Sequence, residues 1–122
     1  MRAFCIKEQD VEPIKLPGRN WKMLINETVG CKNITFGLAE FPAGSNPGSH
    51  KHDVQEEIIF ILEGKGRMTF GQFEQEEIKL APGVAVYIPP GIEHAVINDG
   101  DKTIRLITLF SPQVIPGSYD KK

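Results

Sequence analysis

The stretch Gly44-Ser-Asn-Pro-Gly-Ser-His50-Lys-His52-Asp-Val-Gln-Glu56-Glu57-Ile-Ile-Phe-Ile-Leu-Glu-Gly64 sets two histidines and two acids beside an apolar run that ends in glycine. His50 and His52 are two residues apart, so on an extended chain both imidazoles leave the same face, where neutral ring nitrogens can grip one transition metal. A carboxylate a few residues on can complete the grip. The chain contains 3 histidines, and the third, His94, lies in another glycine- and proline-punctuated stretch.

Outward from this stretch the sequence reads as all-β. Its 9 prolines and 12 glycines cut 122 residues into short pieces, and no window of about 12 residues holds an apolar stripe at helical spacing. Residues 2–16 read as one or two extended segments, an edge or arm, closed by the Pro17-Gly18 turn. In residues 21–26, Trp21, Met23 and Ile25 alternate with Lys22, Leu24 and Asn26, giving a strand with one apolar face. Residues 33–41 make a strand whose Thr35, Gly37 and Ala39 form a small-residue face suited to close packing.

Residues 57–62 are apolar on both faces apart from Glu57. That pattern suits a strand with a barrel interior on one side and a neighbouring sheet or second subunit on the other. Turns at Gly64-Lys-Gly66, Gly71, Pro82-Gly83, Pro89-Pro90-Gly91 and Asn98-Asp-Gly100 separate strands at about 67–70, 74–80, 84–88, 94–98 and 103–110. About ten short strands in a single domain point to a closed β-barrel or a double-sheet jelly roll. The tail from Ser111 reads as a partly ordered terminus.

Composition narrows the function classes. With 14 Lys and Arg against 16 Asp and Glu, a net charge of -2 and no basic cluster, nucleic acid is not an expected partner. No apolar run reaches the roughly 18 residues of a membrane span, and the N-terminus lacks a signal-peptide hydrophobic stretch, so the expectation is a soluble, cytoplasmic protein. Cys5 and Cys31 have no CxxC spacing and read as small buried hydrophobes in a reducing compartment.

Two motifs resemble those of the cupin family, small jelly-roll barrels of the double-stranded β-helix type that commonly hold one metal. The pattern G-x5-H-x-H-x(3,4)-E-x6-G is met by Gly44, His50, His52, Glu57 and Gly64. The pattern G-x5-P-x-G-x2-H-x3-N is met by Gly83, Pro89, Gly91, His94 and Asn98. The resemblance implies a single cupin domain over residues 1–122, with N-terminal strands in 1–32, a core barrel at about 33–110 and a tail at 111–122. It also implies that His50, His52, Glu57 and His94 coordinate one divalent metal. Three imidazoles and a carboxylate suit Fe, Mn, Ni, Zn, Co or Cu and leave positions open for water, substrate or dioxygen.

The acid has a rival. On an unbroken strand Glu56 shares parity with His52, whereas a bulge or turn at Asp53-Val54-Gln55 resets the parity toward Glu57, which also lies at the motif distance from Gly64. Pro89-Pro90-Gly91 reads as a turn that aims His94 inward, with Gly91 allowing a positive φ. Asn98 either backs His94 with a hydrogen bond or starts the following turn.

Arg19 and Arg67 are candidates to clamp a substrate carboxylate. Tyr87 and Gln55 are candidate hydrogen-bond donors near the metal, while Phe36, Phe60, Phe70 and Phe73 read as core or interface. No separate general base is evident; Glu56 or an arginine could serve. The expectation is a metal-dependent enzyme of dioxygenase, decarboxylase, isomerase or lyase type acting on a small polar organic acid, phenol or sugar-like molecule. The alternative is a non-enzymatic small-molecule-binding or sensor barrel, since fold does not decide among these. A homodimer is expected from strands that are apolar on both faces.

Overall fold

The computed structural model describes residues 3–71 and 76–114. Among them lie nine strands and two short 3-10 turns, Glu8–Asp10 and Glu27–Val29. The strands are β1 (Ile14–Leu16), β2 (Arg19–Ile25), β3 (Thr35–Phe41), β4 (Glu56–Glu63), β5 (Gly66–Phe70), β6 (Glu76–Leu80), β7 (Ala85–Ile88), β8 (His94–Ile97) and β9 (Ile104–Ser111). They form a six-stranded sheet in the order β1-β2-β3-β9-β4-β7 and a three-stranded sheet in the order β6-β5-β8. Every pairing is antiparallel. This is the all-β jelly-roll architecture that the turn spacing predicts. Phe73 lies outside the described residues.

Alternation decides what each strand buries. In β4 the residues alternate exposed and buried, with Ile59 and Ile61 inside and Ile58, Phe60 and Leu62 outside. In β9, Ile104, Leu106, Thr108 and Phe110 face in. They meet Met68 from β5 and Val96 from β8 across the interior, together with Trp21 and Phe41. The small-residue face of β3 is buried: a Cβ on Gly37 would stand 2.2 Å from Trp21 Nε1, so only glycine leaves room for the indole there. Gly37→Ala is expected to push the ring out, costing about 1–3 kcal/mol as an overpacked core. Because Trp21 is the sole tryptophan, a red-shifted emission maximum would report the displacement directly.

The ends of the chain are more integrated than their sequence suggests. Val114 is buried in the core cluster, and its N–H donates to Thr35 Oγ1 at 2.9 Å, so residues 112–114 continue the packed structure rather than a loose tail. At the other end, Glu8 accepts from Lys22 Nζ at 2.7 Å and pairs with Arg105 Nη2 at 2.5 Å. Arg105 also donates to Glu40 at 3.0 Å. These bonds, those from Lys22 first, hold the Glu8 carboxyl below its ordinary pKa and pin the N-terminal segment across β2, β3 and β9. Cys5 is exposed and Cys31 half-buried, against the expectation of buried packing; neither is in a disulfide.

Candidate metal centre

The two motifs meet through their backbones. His50 N donates to His94 O at 2.9 Å and His94 N donates to His50 O at 2.8 Å, an antiparallel bridge between segments far apart in sequence. Gly91 N donates to His52 O at 2.8 Å, and Asn98 N to Ser45 O at 2.9 Å, extending the seam on both sides. Gly91 sits at φ 81°, the left-handed region that the Pro-Pro-Gly turn requires before His94 enters β8. Main-chain pairing, rather than side-chain attraction, therefore brings the histidines together.

The imidazoles converge. Each of His50, His52 and His94 offers one ring nitrogen, and these nitrogens all lie within 4.8 Å of one another. His52 and His94 are buried, at 6% and 1% exposure, and His50 is half-buried. His94 Nδ1 lies 2.9 Å from Ile92 O. A carbonyl can only accept, so Nδ1 carries a proton and Nε2 is the ring nitrogen left for the other histidines and Glu57.

Glu57 faces this cluster and Glu56 does not. Glu57 is buried on the inner side of β4, with Oε1 3.2 Å from His94 Nε2 and 3.5 Å from His52 Nε2. Glu56 is on the outer side, where it accepts a 2.6 Å hydrogen bond from Tyr87 Oη. The chain bends at Asp53 and Val54, which is where the parity resets. The 3.2 Å contact lacks hydrogen-bond geometry, and neither Glu57 Oε1 nor His94 Nε2 has a hydrogen-bond partner among the described residues. Two acceptors facing each other in a buried site repel unless a cation or proton lies between them. Ligands each about 2.1 Å from one ion stand roughly 3.0–3.4 Å apart at right-angled to tetrahedral geometry, so the 3.2 Å separation falls in the range of a shared metal and the 3.5 Å one just beyond it.

The histidines and Glu57 line a cavity that opens to solvent. Its walls are mostly apolar, with Trp21, Phe41, Ile59, Val96, Leu106 and Phe110 among them. Phe110 stands edge-on between the site and the tryptophan, 4.9 Å from the His52 ring and 6.2 Å from Trp21 by ring centroid.

The other sequence candidates divide. Arg19 lines the cavity. Arg67 does not: its guanidinium donates to Asp99 at 2.9 Å and Glu77 at 2.8 Å on the outside of the small sheet. Tyr87 is on the outer face, and Gln55 donates to Gln113 O at 3.2 Å. Asn98 is fully buried and leaves His94 alone. Its Nδ2 donates to Phe41 O at 2.9 Å and Lys102 O at 2.7 Å, while Oδ1 accepts from Gly100 N at 3.1 Å. It closes its own turn and ties that turn to the end of β3. Thr108, an inward residue of β9 on the cavity wall, carries no motif signal, and only its even spacing from Leu106 and Phe110 points to it.

Fold and site together define a jelly-roll protein whose cavity holds a histidine cluster compatible with a metal ion. The chain belongs to the cupin family, its residues 37–110 matching the cupin domain. It is 36% identical over 83 residues to an uncharacterized protein of Methanocaldococcus jannaschii, a match covering 66% of this chain and 64% of that protein. It is 35% identical over 78 residues to the dimethylsulfoniopropionate lyase DddW of Ruegeria pomeroyi, covering 63% of this chain and 49% of the lyase. The chain thus spans about half to two-thirds of the length of these relatives. Among solved structures, the polyketide cyclase RemF from Streptomyces resistomycificus superposes with a TM-score of 0.81 at 21% identity, over 94% of this chain and 83% of that one, a likeness of fold.

Proposed function

We propose that this chain is a metal-dependent cupin enzyme acting on a small organic molecule with oxygen donors, its metal held by His50, His52, Glu57 and His94. The observation that carries this reading is the buried Glu57 oxygen facing two imidazole nitrogens at 3.2 and 3.5 Å. A bound divalent ion supplies Lewis acidity or a docking point for dioxygen. The protein's own part is to fix the ligands through the His50–His94 bridge, to hold the His94 tautomer through Ile92 O, and to exclude bulk water with the aromatic wall. The kinship with a lyase supports an enzymatic reading.

A second reading, a binding or sensor barrel, is favoured by one observation. Among the described residues that line the cavity, the only titratable groups are the three histidines, Glu57 and Arg19, leaving no separate general base. Oxygen uptake and product formation across carboxylates, phenols and sugars, with iron, manganese or nickel restored, separate the two. Saturable binding without turnover under any metal would sink the enzyme reading.

The protein is also proposed to work as a homodimer. On the outer face of the six-stranded sheet, Ile58, Phe60, Leu62 and Tyr87 are 46%, 41%, 36% and 54% exposed. Ile58 pairs in register with Tyr87 on one side and Leu109 on the other, and Phe60 with Ile107, making an apolar patch across three strands. Light scattering is expected to give twice the 13.6 kDa chain mass, and Phe60→Glu to return it to the monomer. A monomeric parent protein contradicts the dimer.

A further inference from the structure

The cavity offers a ligand very few polar partners beyond the metal ligands. One is Thr108, 6% exposed, whose Oγ1 is buried with no hydrogen-bond partner among the described residues. The other is Arg19. Alternation along β2 puts Arg19 on the same face as Trp21 and Met23, the inward one, and it pairs in register with Leu16, another wall residue. Its Nη1 donates to Pro17 O at 3.1 Å, so the guanidinium is anchored at the β1–β2 turn. That turn is itself braced. Gly18, at φ 71°, lies so close to Pro47 that a Cβ would stand 2.9 Å from its backbone, which locks the arginine's hairpin against the loop leading into His50.

Chemistry then selects the ligand. A sugar carries a hydroxyl on nearly every ring carbon, and each one buried without a partner costs about 1–3 kcal/mol. Against walls of Trp21, Phe41, Ile59, Val96, Leu106 and Phe110, most of those hydroxyls would find none. A flat apolar ring gains from the same walls by stacking and by leaving water. The arginine fork adds a site for a planar anion.

Resting on the metal-centred reading above, we propose that the cavity is built for an aromatic carboxylic acid. An oxygen substituent lies at the histidine cluster, the ring lies against the aromatic wall within reach of Thr108, and the carboxylate lies on Arg19. Arg19 is then the specificity-determining residue and Thr108 a positioning contact.

Calorimetric titration tests this, on zinc-loaded and metal-free protein, with three probes. They are 4-hydroxybenzoate, its uncharged isostere 4-hydroxybenzamide, and glucuronate, which has the same charge on a polar ring. The parent protein is expected to bind 4-hydroxybenzoate about ten- to a hundredfold tighter than either of the others, the range of a charge-assisted hydrogen bond. Arg19→Gln should lose the preference for acid over amide while keeping its metal content, and Arg19→Lys should recover part of it.

Glucuronate bound as tightly as 4-hydroxybenzoate would overturn the apolar-body assignment. An acid preference that survives in Arg19→Gln would overturn the arginine's role, and no binding of either aromatic probe in any form would overturn both. Metal content, measured on each sample, reports the metal reading separately. The metal-free titration still tests the walls and Arg19 if no metal is retained.

Discussion

His94→Ala protein, purified alongside the parent, is expected to hold metal at least a hundredfold more weakly, with elemental analysis close to background. The substitution removes the one ring whose tautomer is fixed by Ile92 O and leaves Glu57 Oε1 buried without its 3.2 Å neighbour. The thermal signature should be as clear. A metal present at a hundred times its dissociation constant stabilises the folded state by about 2.7 kcal/mol, which for a domain of this size raises Tm by roughly 10 °C. That rise belongs to the parent and is expected to vanish in His94→Ala and in Glu57→Gln, while Glu56→Gln keeps it. Glu57→Gln is the useful partner variant because it preserves volume and removes only the anionic ligand. Retention of metal by His94→Ala would falsify the site.

The second large effect is one of stability alone. Asn98→Ala strips the hydrogen bonds from Phe41 O and Lys102 O, the first of them buried, and opens the 98–100 turn. A carbonyl left unsatisfied costs about 1–3 kcal/mol, so the variant is expected to lose about 2–4 kcal/mol in denaturant unfolding. Asn98→Asp sharpens the test. It keeps an acceptor for Gly100 N but has no donor for either carbonyl and adds a buried charge, so it should be at least as destabilised. A loss below about 1 kcal/mol in both variants would show that water replaces the side chain.

Which side chains face the cavity was largely legible in the sequence where it depends on local spacing. The spacing of His50 and His52 fixes their common face, Pro89-Pro90-Gly91 aims His94, and the count back from Gly64 points to Glu57 over Glu56. Gly64 shows why such a count works: at φ 90°, with Thr103 O 2.6 Å from where a Cβ would be, the position admits only glycine and so anchors the register of β4. What stayed hidden depends on pairings between distant segments. Asn98 could not be placed because its acceptors Phe41 O and Lys102 O are set by how β3 and the following turn come to rest. Arg19 and Arg67 look alike in sequence and part company only because one strand turns its arginine inward while the other meets Asp99 and Glu77. Val114 reads as tail until Thr35 is found opposite it. The cavity wall was hidden for the same reason, since it is assembled from β2, β3, β4, β8 and β9 at once.

The seam between His50 and His94 has a kinetic consequence. The two segments are about forty residues apart, so bringing the imidazoles to one site closes a long loop, an entropy cost the seam has to offset. Contacts that form after the transition state slow unfolding and leave the folding rate nearly unchanged. A bound metal is expected to slow unfolding and leave the folding rate nearly unchanged, acting as a latch on the finished barrel, which stopped-flow rates with and without zinc would check. The amides of His50, His94 and Gly91, which open only when that seam parts, are where its protection from hydrogen exchange should be concentrated.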